Sequence, residues 1–229
     1  MRNIASLSPA LIPLALGLLA GCNSSSTAPQ IGQPVAFRLT TSASLVSAAG
    51  PLSISSVRLV VGGAALGSGD QFGCVDCQNA GPDMRAIPAV VSIPLDGSPV
   101  GLRTEQVQAG TYSTMEVEVV VPTPAVLAAT PGWSAQNTFV IAGTYNGRPF
   151  ALGLPIEGTF RQQLATPLVV GAGGPSASVQ VTITLPVATW FAGAAGTLDP
   201  TDAAQRATIE ANARKSFDPL EKSGGEVPR

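Results

Sequence analysis

The stretch Thr111-Tyr-Ser-Thr-Met115-Glu-Val117-Glu-Val119-Val-Val121 decides the fold class, because its residue types alternate with a period of two. Met115, Val117, Val119 and Val121 fall on one face and Glu116 and Glu118 on the other, the pattern of a half-buried β-strand. Two glutamates on one face could imitate a catalytic carboxylate pair. The alternation predicts a solvent-facing row instead.

Related segments lie on both sides. Val35 to Thr41 alternates, and Leu52 to Val61 follows after a Ser/Ala/Gly gap. Ile87 to Leu95 is interrupted by Pro88 and Pro94 and so reads as an edge strand, where a missing N–H does least harm. Asn137 to Tyr145 and Pro149 to Leu154 flank Asn146-Gly147, the dipeptide suited to a type I′ turn with positive φ at both central residues. Thr159 to Val170 is a further candidate strand, and Ser178 to Leu185 places Val179, Val181, Ile183 and Leu185 inward. About seven to nine strands at this spacing predict an all-β, antiparallel sandwich. After them Thr201 to Phe217 reads as a short helix packed on one end of the sandwich. Asp199 and Thr201 are its candidate N-caps, and Ala204, Ile209 and Ala213 share its apolar face.

Composition supports a folded β-domain. Charged residues make up 11% of the chain, below the high-charge signature of disorder, while 25 Gly and 20 Pro supply many turns. The net charge of −2 becomes −3 if Arg2 is removed with the N-terminus. Two lysines, few aromatics and the lack of a basic stripe argue against nucleic-acid binding. The chain has no histidine, which excludes a Ser-His-Asp triad, a Cys-His pair and every His-containing zinc site. Carboxylate chemistry remains open. The expectation is a non-enzyme with no catalytic residues, no cofactor and no metal.

At the N-terminus, Arg2 is the only charge in the first 21 residues and precedes an apolar run from Ile4 to Leu19 broken by Pro9 and Pro13. A membrane-spanning helix would need about 20 apolar residues without such interruptions. A secretory signal needs less. The run ends in Leu18-Leu19-Ala20-Gly21-Cys22, which resembles the lipobox of bacterial lipoproteins. That resemblance implies cleavage between Gly21 and Cys22, a diacylglyceryl group on the Cys22 thiol and palmitate-type acylation of the new amino end. Two or more acyl chains anchor stably where one does not. Asn23 is not the aspartate that marks inner-membrane retention in enteric lipoproteins, so an outer-membrane or outer-surface address is favoured.

Removing 21 residues from 229 leaves 208. Residues 22–34 (CNSSSTAPQIGQP) read as the lipidated cysteine and a flexible tether, 35–198 as the β-domain, 199–217 as the helix and 218–229 as a frayed tail.

Several short motifs add a second resemblance. Leu52-Ser-Ile-Ser-Ser-Val57-Arg-Leu59, Ala109-Gly-Thr-Tyr112-Ser-Thr, Thr144-Tyr-Asn-Gly-Arg-Pro-Phe150 and the ending Trp190-Phe191…Leu198-Asp-Pro200…Ile209-Glu-Ala-Asn212…Ser216-Phe217 are similar to a transthyretin-like or Ig-like β-sandwich of exported lipoproteins. The resemblance implies that the first motif's strand pairs with the strand opening Ala109-Gly110-Thr111-Tyr112. It implies no activity. Similar chains carry a calcium-loop spacing after the Ser-Phe, and Asp218-Pro-Leu-Glu221 has lost it.

With Cys22 acylated, Cys74 and Cys77 remain as an exported pair in a Gly/Asp/Asn-rich loop. A structural disulfide is the main reading, and redox or metal roles are the alternatives. Asp70, Asp76, Asn79 and Asp83 match no EF-hand pattern and read as a solvated acidic loop. Tyr112 is placed to tie a sandwich corner through its hydroxyl. Trp133, in the loop from Pro122 to Gln136, is a candidate ligand contact for a sugar ring or partner, against the alternative that it plugs the sandwich end. Trp190 and Phe191 should fill the core beneath the helix.

The sequence thus points to a membrane-anchored cell-envelope lipoprotein whose β-sandwich is a non-catalytic binding or structural module. Its expected partners are the membrane, through lipid on Cys22, and a glycan or envelope protein. The alternatives are a redox- or metal-linked accessory built on the Cys74–Cys77 loop, or a carbohydrate-binding module.

Overall fold

The computed structural model describes residues 32–42, 50–67, 88–171 and 179–217. Along them run β1 (Gln33–Thr41), β2 (Leu52–Gly67), β3 (Ala89–Ile93), β4 (Val100–Val107) and β5 (Gly110–Val119). Next come α1 (Pro124–Ala129), β6 (Phe139–Tyr145), β7 (Arg148–Leu154), β8 (Gly158–Val170) and β9 (Val179–Leu185). The chain closes with α2 (Val187–Trp190), β10 (Ala192–Gly193), β11 (Gly196–Thr197) and α3 (Ala203–Arg214). The class is all-β. A larger sheet has the order β7-β6-β2-β5-β8 with β3 joined to β2, a smaller one has the order β4-β1-β9, and β10 and β11 make a separate hairpin.

The 16-residue β2 organises the larger sheet. Its first half pairs with β6, its middle (Val57–Val61) with β3 and its last part with β5. A plain strand this long would keep one parity throughout. Here the register shifts between Ile54 and Ser56 and again between Val61 and Gly63. Each bulge inserts a residue and moves the inward positions by one. Accordingly Leu52 and Ile54 face the core, then Val57, Leu59 and Val61, then Ala64 and Leu66. Gly62 sits at the second bulge, where a Cβ would lie 2.6 Å from Val120 Cγ1. The strand opening at Gly110 does pair with β2, but along Val61–Gly67, while Ile54–Leu59 faces β6.

Inward side chains of both sheets form one cluster. Val35, Phe37 and Leu39 come from β1, Val181, Ile183 and Leu185 from β9, and Met115, Val117 and Val119 from β5. Burying each such side chain contributes about 1.5–3 kcal/mol. The β6–β7 turn is as expected, with φ of 49° at Asn146 and 75° at Gly147. So is the edge position of β3, which among the described residues pairs with β2 alone.

Several expectations are corrected. β1 pairs antiparallel with β4 but parallel with β9, so the smaller sheet is mixed. A parallel pair needs a long connection, and nearly the whole domain lies between these two strands. β1 also starts at Gln33, taking the last two residues assigned to the tether. β4 escaped detection because its register shifts opposite Phe37/Arg38 and because Glu105 and Arg103 lie opposite the core residues Val35 and Phe37. These two charges pair with each other, and charges on the inner side of an edge strand discourage pairing with other chains. Val121 lies beyond the end of β5 and is 45% exposed. Finally, the N-cap of α3 is Asp202, whose carboxylate accepts from the N–H groups of Ala204 (2.8 Å) and Gln205 (3.1 Å). Asp199 instead accepts from the Thr201 N–H and hydroxyl in the turn before. Ile209 and Ala213, one turn apart, are the buried pair, and Ala204 lies off that stripe and is exposed.

Beneath α3, Trp190 meets Phe139 edge-on with centroids 5.4 Å apart, and Phe217 packs 5.6 Å from Phe139. Trp190 Nε1 donates to Ser216 Oγ at 3.0 Å. Asn212 Nδ2 donates to the carbonyls of Trp190 (3.1 Å) and Ala192 (3.0 Å). At the other end of the domain Tyr112 ties its corner, donating to the Gln108 carbonyl at 3.0 Å.

Two stability predictions follow from close contacts. A Cβ on Gly143 would collide with the Ser53 carbonyl across the β2–β6 ladder, whereas one on Gly101 would meet nothing within 4 Å. Gly143→Ala should therefore cost roughly 1–3 kcal/mol in denaturant unfolding, with Gly101→Ala close to neutral. Equal midpoints for the two would contradict the register. Burial also pushes the Tyr112 hydroxyl above its ordinary value of 10.0. The unfolded chain then loses this proton first, so the contribution is whole below pH 10.0 and fades as pH rises through the folded value. Tyr112→Phe should unfold with a shallower alkaline dependence than the parent. An unchanged dependence would remove Tyr112 as a cause.

Candidate functional site

Among the described residues a concavity lies where β2 begins. Asn146 donates its N–H to the Pro51 carbonyl at 2.7 Å, which fixes the β6–β7 turn against the chain entering β2. On the facing side the chain leaving β9 turns at Pro186. The Thr189 N–H and hydroxyl both return to the Pro186 carbonyl, at 2.9 and 2.8 Å. The short α2 then delivers Phe191 into the core, 6.4 Å from Phe150.

The next residues, Ala192-Gly-Ala-Ala-Gly-Thr197, fold into the β10–β11 hairpin with Ala192 opposite Thr197 and Gly193 opposite Gly196. Its tightness depends on glycine. Gly196 has φ of 122°, and a Cβ on Gly193 would come within 2.6 Å of Leu198 Cδ2. Tyr145 Oη donates to the Thr197 carbonyl at 3.1 Å, and the Leu198 N–H donates to the Phe191 carbonyl at 2.8 Å, so the hairpin is tied to both neighbours.

Between these walls is an open cleft of about 370 Å³, lined by Leu52, Ile54, Ala188, Phe191, Gly193 and Thr197 with small residues between. All ten lining residues are uncharged, and the Thr197 hydroxyl is the only polar side-chain group among them. Such a lining suits a small apolar or flat neutral group held by contact and backbone polar groups. It offers no titratable group for proton transfer. A second concavity of about 280 Å³ lies between β7 and α3 and includes Arg206 and Glu210. Glu210 is engaged by Arg214 at 2.7 Å, and Arg214 also donates to the Pro155 carbonyl at 2.9 Å. Through Arg214, α3 is thus tied to the segment that follows β7.

Of the described residues singled out from the sequence, Phe191 lines the cleft, and Trp133, Glu116 and Glu118 do not. Trp133 is 8% exposed and packs with Val60 and Val126 on the outer face of β2, opposite the main core. Its Nε1 donates to the Asn137 carbonyl at 2.7 Å, and the Arg58 guanidinium lies over the ring 5.3 Å from its centroid. α1, capped by the Thr123 hydroxyl accepting from the Val126 N–H at 3.3 Å, brings Val126 to the same patch. The ring is therefore covered, which corrects its reading as a ligand contact. It also covers a sheet face rather than plugging an end. Glu116 is bound by Arg161 at 2.6 Å across the β5–β8 ladder, so the glutamate row is a cross-strand ion-pair site. Cys22, Cys74 and Cys77, with Asp70, Asp76, Asn79 and Asp83, lie outside the described residues.

The cleft itself escaped the sequence reading. Backbone and small side chains build it, and the Ala-Gly-Ala-Ala-Gly run was its only signal. No family model, curated protein or solved structure matches the chain.

If Trp133 is a structural cover, Trp133→Ala should destabilise the domain by about 3–5 kcal/mol. Arg58→Ala, which removes only the cation over the ring, should cost about 0.5–1 kcal/mol. Denaturant unfolding followed by circular dichroism measures both. A Trp133→Ala protein as stable as the parent would restore the ring as a free ligand-binding group.

Proposed function

We propose that this chain is a lipid-anchored cell-envelope protein whose β-domain is a non-catalytic binding or structural module. The observation that carries this reading is the Leu19-Ala20-Gly21-Cys22 motif behind an apolar, proline-broken leader, with only ten residues between Cys22 and the first strand at Gln33. Ten extended residues reach at most about 36 Å, so such a tether keeps the domain beside its membrane. The outer membrane or outer surface is the favoured address, given Asn23 after the cysteine.

The finer architecture we read as an Ig-like or transthyretin-like sandwich. Two sheets sharing one apolar core, the pairing of β2 with β5 and the Tyr112 corner support it. The partner we infer is a glycan or another envelope component that presents a neutral surface, because the cleft beside the β10–β11 hairpin is uncharged. Cys74 and Cys77 are left as an exported pair, which we read as a structural disulfide.

Cys22→Ser separates this reading from a plain secreted or cytosolic one. The parent protein should fractionate with membranes and carry acyl mass on its N-terminal peptide. The variant should appear in the soluble fraction with an unchanged β-rich circular dichroism spectrum. Membrane retention of Cys22→Ser, or an unacylated parent, would overturn the proposal.

A further inference from the structure

The smaller sheet turns one face to the core and the other away from it. On β1 the alternation sends Val35, Phe37 and Leu39 inward and Ala36 and Arg38 outward. Opposite Ala36 stand Thr104 on β4 and Gln180 on β9, and opposite Arg38 stand Gly101 and Thr182. Directly opposed residues share a face, and all four of these partners are exposed. Among the described residues, Arg38 is the only charged one at the paired outward positions of the three strands. The others are threonine, glutamine, alanine, glycine and proline.

Arg38 stands at an irregularity in this face. The register of β1 against β4 shifts there, so Leu102 has no partner on β1 and Gly101 comes opposite Arg38. Such bulges re-aim side chains. A Cβ on Gly101 would meet nothing within 4 Å, so the position facing Arg38 is open. Ala36, two residues back on the same face, keeps the floor low on a second side. Among the described residues the ion pairs join Arg103 to Glu105, Arg161 to Glu116 and Arg214 to Glu210, and Arg38 takes part in none of them. Arg103 and Glu105 belong to the inner side, opposite Phe37 and Val35.

We propose that this outer face binds an acidic glycan, with a sugar carboxylate on Arg38 and ring hydroxyls on the threonine and glutamine side chains around it. The inference rests on the binding-module reading and adds to it a second surface and a ligand class. A guanidinium presents a planar fork that matches a carboxylate. Threonine hydroxyls and glutamine amides both donate and accept, which complements a polyol. Other partners ask for something this face lacks. Protein partners are anchored by aromatic or large apolar side chains, and none stands at the paired outward positions. Nucleic acid carries a charge on every nucleotide and is held by several cations rather than one. An anionic bilayer gains only about 1 kcal/mol from a single arginine, with no apolar side chain here to insert beside it. A polymer of hydroxyls with widely spaced carboxylates needs one cation among neutral polar groups.

The test titrates the full chain with polygalacturonate and with its methyl-esterified form, which keeps the hydroxyls and loses the charge. Arg38→Gln removes the cation. Gly101→Glu sets a carboxylate in the open position opposite it, and Arg148→Gln removes an equal charge from the β6–β7 turn. Circular dichroism reports whether each variant keeps its β-rich fold. The expected result is binding of polygalacturonate that esterification, Arg38→Gln and Gly101→Glu each weaken by at least about tenfold, with Arg148→Gln at the parental level. If Arg38→Gln loses its fold, Gly101→Glu decides in its place. Absence of polygalacturonate binding, or binding that survives Gly101→Glu, would overturn the proposal. Binding of the esterified polymer as tight as that of the acidic one, and indifferent to both substitutions, would overturn this face and leave a glycan-binding module standing. Arg38-dependent binding of phosphatidylglycerol vesicles without binding of polygalacturonate would overturn it in favour of a lipid headgroup. The anchor is decided separately, by the fractionation of Cys22→Ser.

Discussion

The structure depends on a single strand changing its parity twice. β2 must bury one set of side chains against β6, another beside β3 and a third against β5, over 16 residues. A regular strand has only two faces and a period of two, so it cannot track a core that curves away beneath it. The bulges near Ser55 and Gly62 solve this by inserting one residue each. Ile54, Val57, Leu59, Val61 and Ala64 thereby stay on the core side although their numbering changes parity. Moving either bulge by one position would send a run of Val and Leu to solvent and bring Ser and Arg58 inward.

Closure comes from the pairing of β1 with β9. Pairing the first strand in parallel with the last joins distant parts of the sequence, so most of the domain must be in place before that ladder can form. It also fixes where the remaining edges lie. β4 guards its edge with the inward Arg103–Glu105 pair. On the outer side of β9, the Thr184 N–H is held at 2.8 Å by the side-chain oxygen of Gln162 from β8. A side chain that occupies an edge N–H competes with any incoming strand.

Legibility in the sequence followed regularity. β5 and β9 were readable because their alternation is unbroken over the buried span, and the β6–β7 hairpin because Asn146-Gly147 meets a backbone need that few dipeptides meet. β2 was readable only to Val61, since Gly62-Gly63-Ala64-Ala65 lacks the bulky pattern although the strand continues. β4 was invisible for a different reason. Its inward charges invert the expected code, and a register shift breaks what period remains. The parallel partner of β1 could not be read at all, because local pattern carries no information about which distant strand lies alongside. Trp133 was misjudged by the same limit. A loop position says nothing about the sheet face that the loop folds back to cover.

The cleft where β2 begins shows why a candidate site built from backbone is hard to see in a sequence. Its walls are glycine, alanine and the backbone of a two-residue-per-strand hairpin, chosen for close approach rather than for reactive side chains. Reading for chemistry searches for groups that titrate, ligate or attack, and none of these lines it. The constraint shifts from reactivity to shape. Tyr145 holds Thr197, Asn146 holds Pro51 and Leu198 holds Phe191, so three hydrogen bonds from three segments fix the two walls at a set separation. A cleft held in shape by its scaffold would lose little entropy if it took up a neutral group.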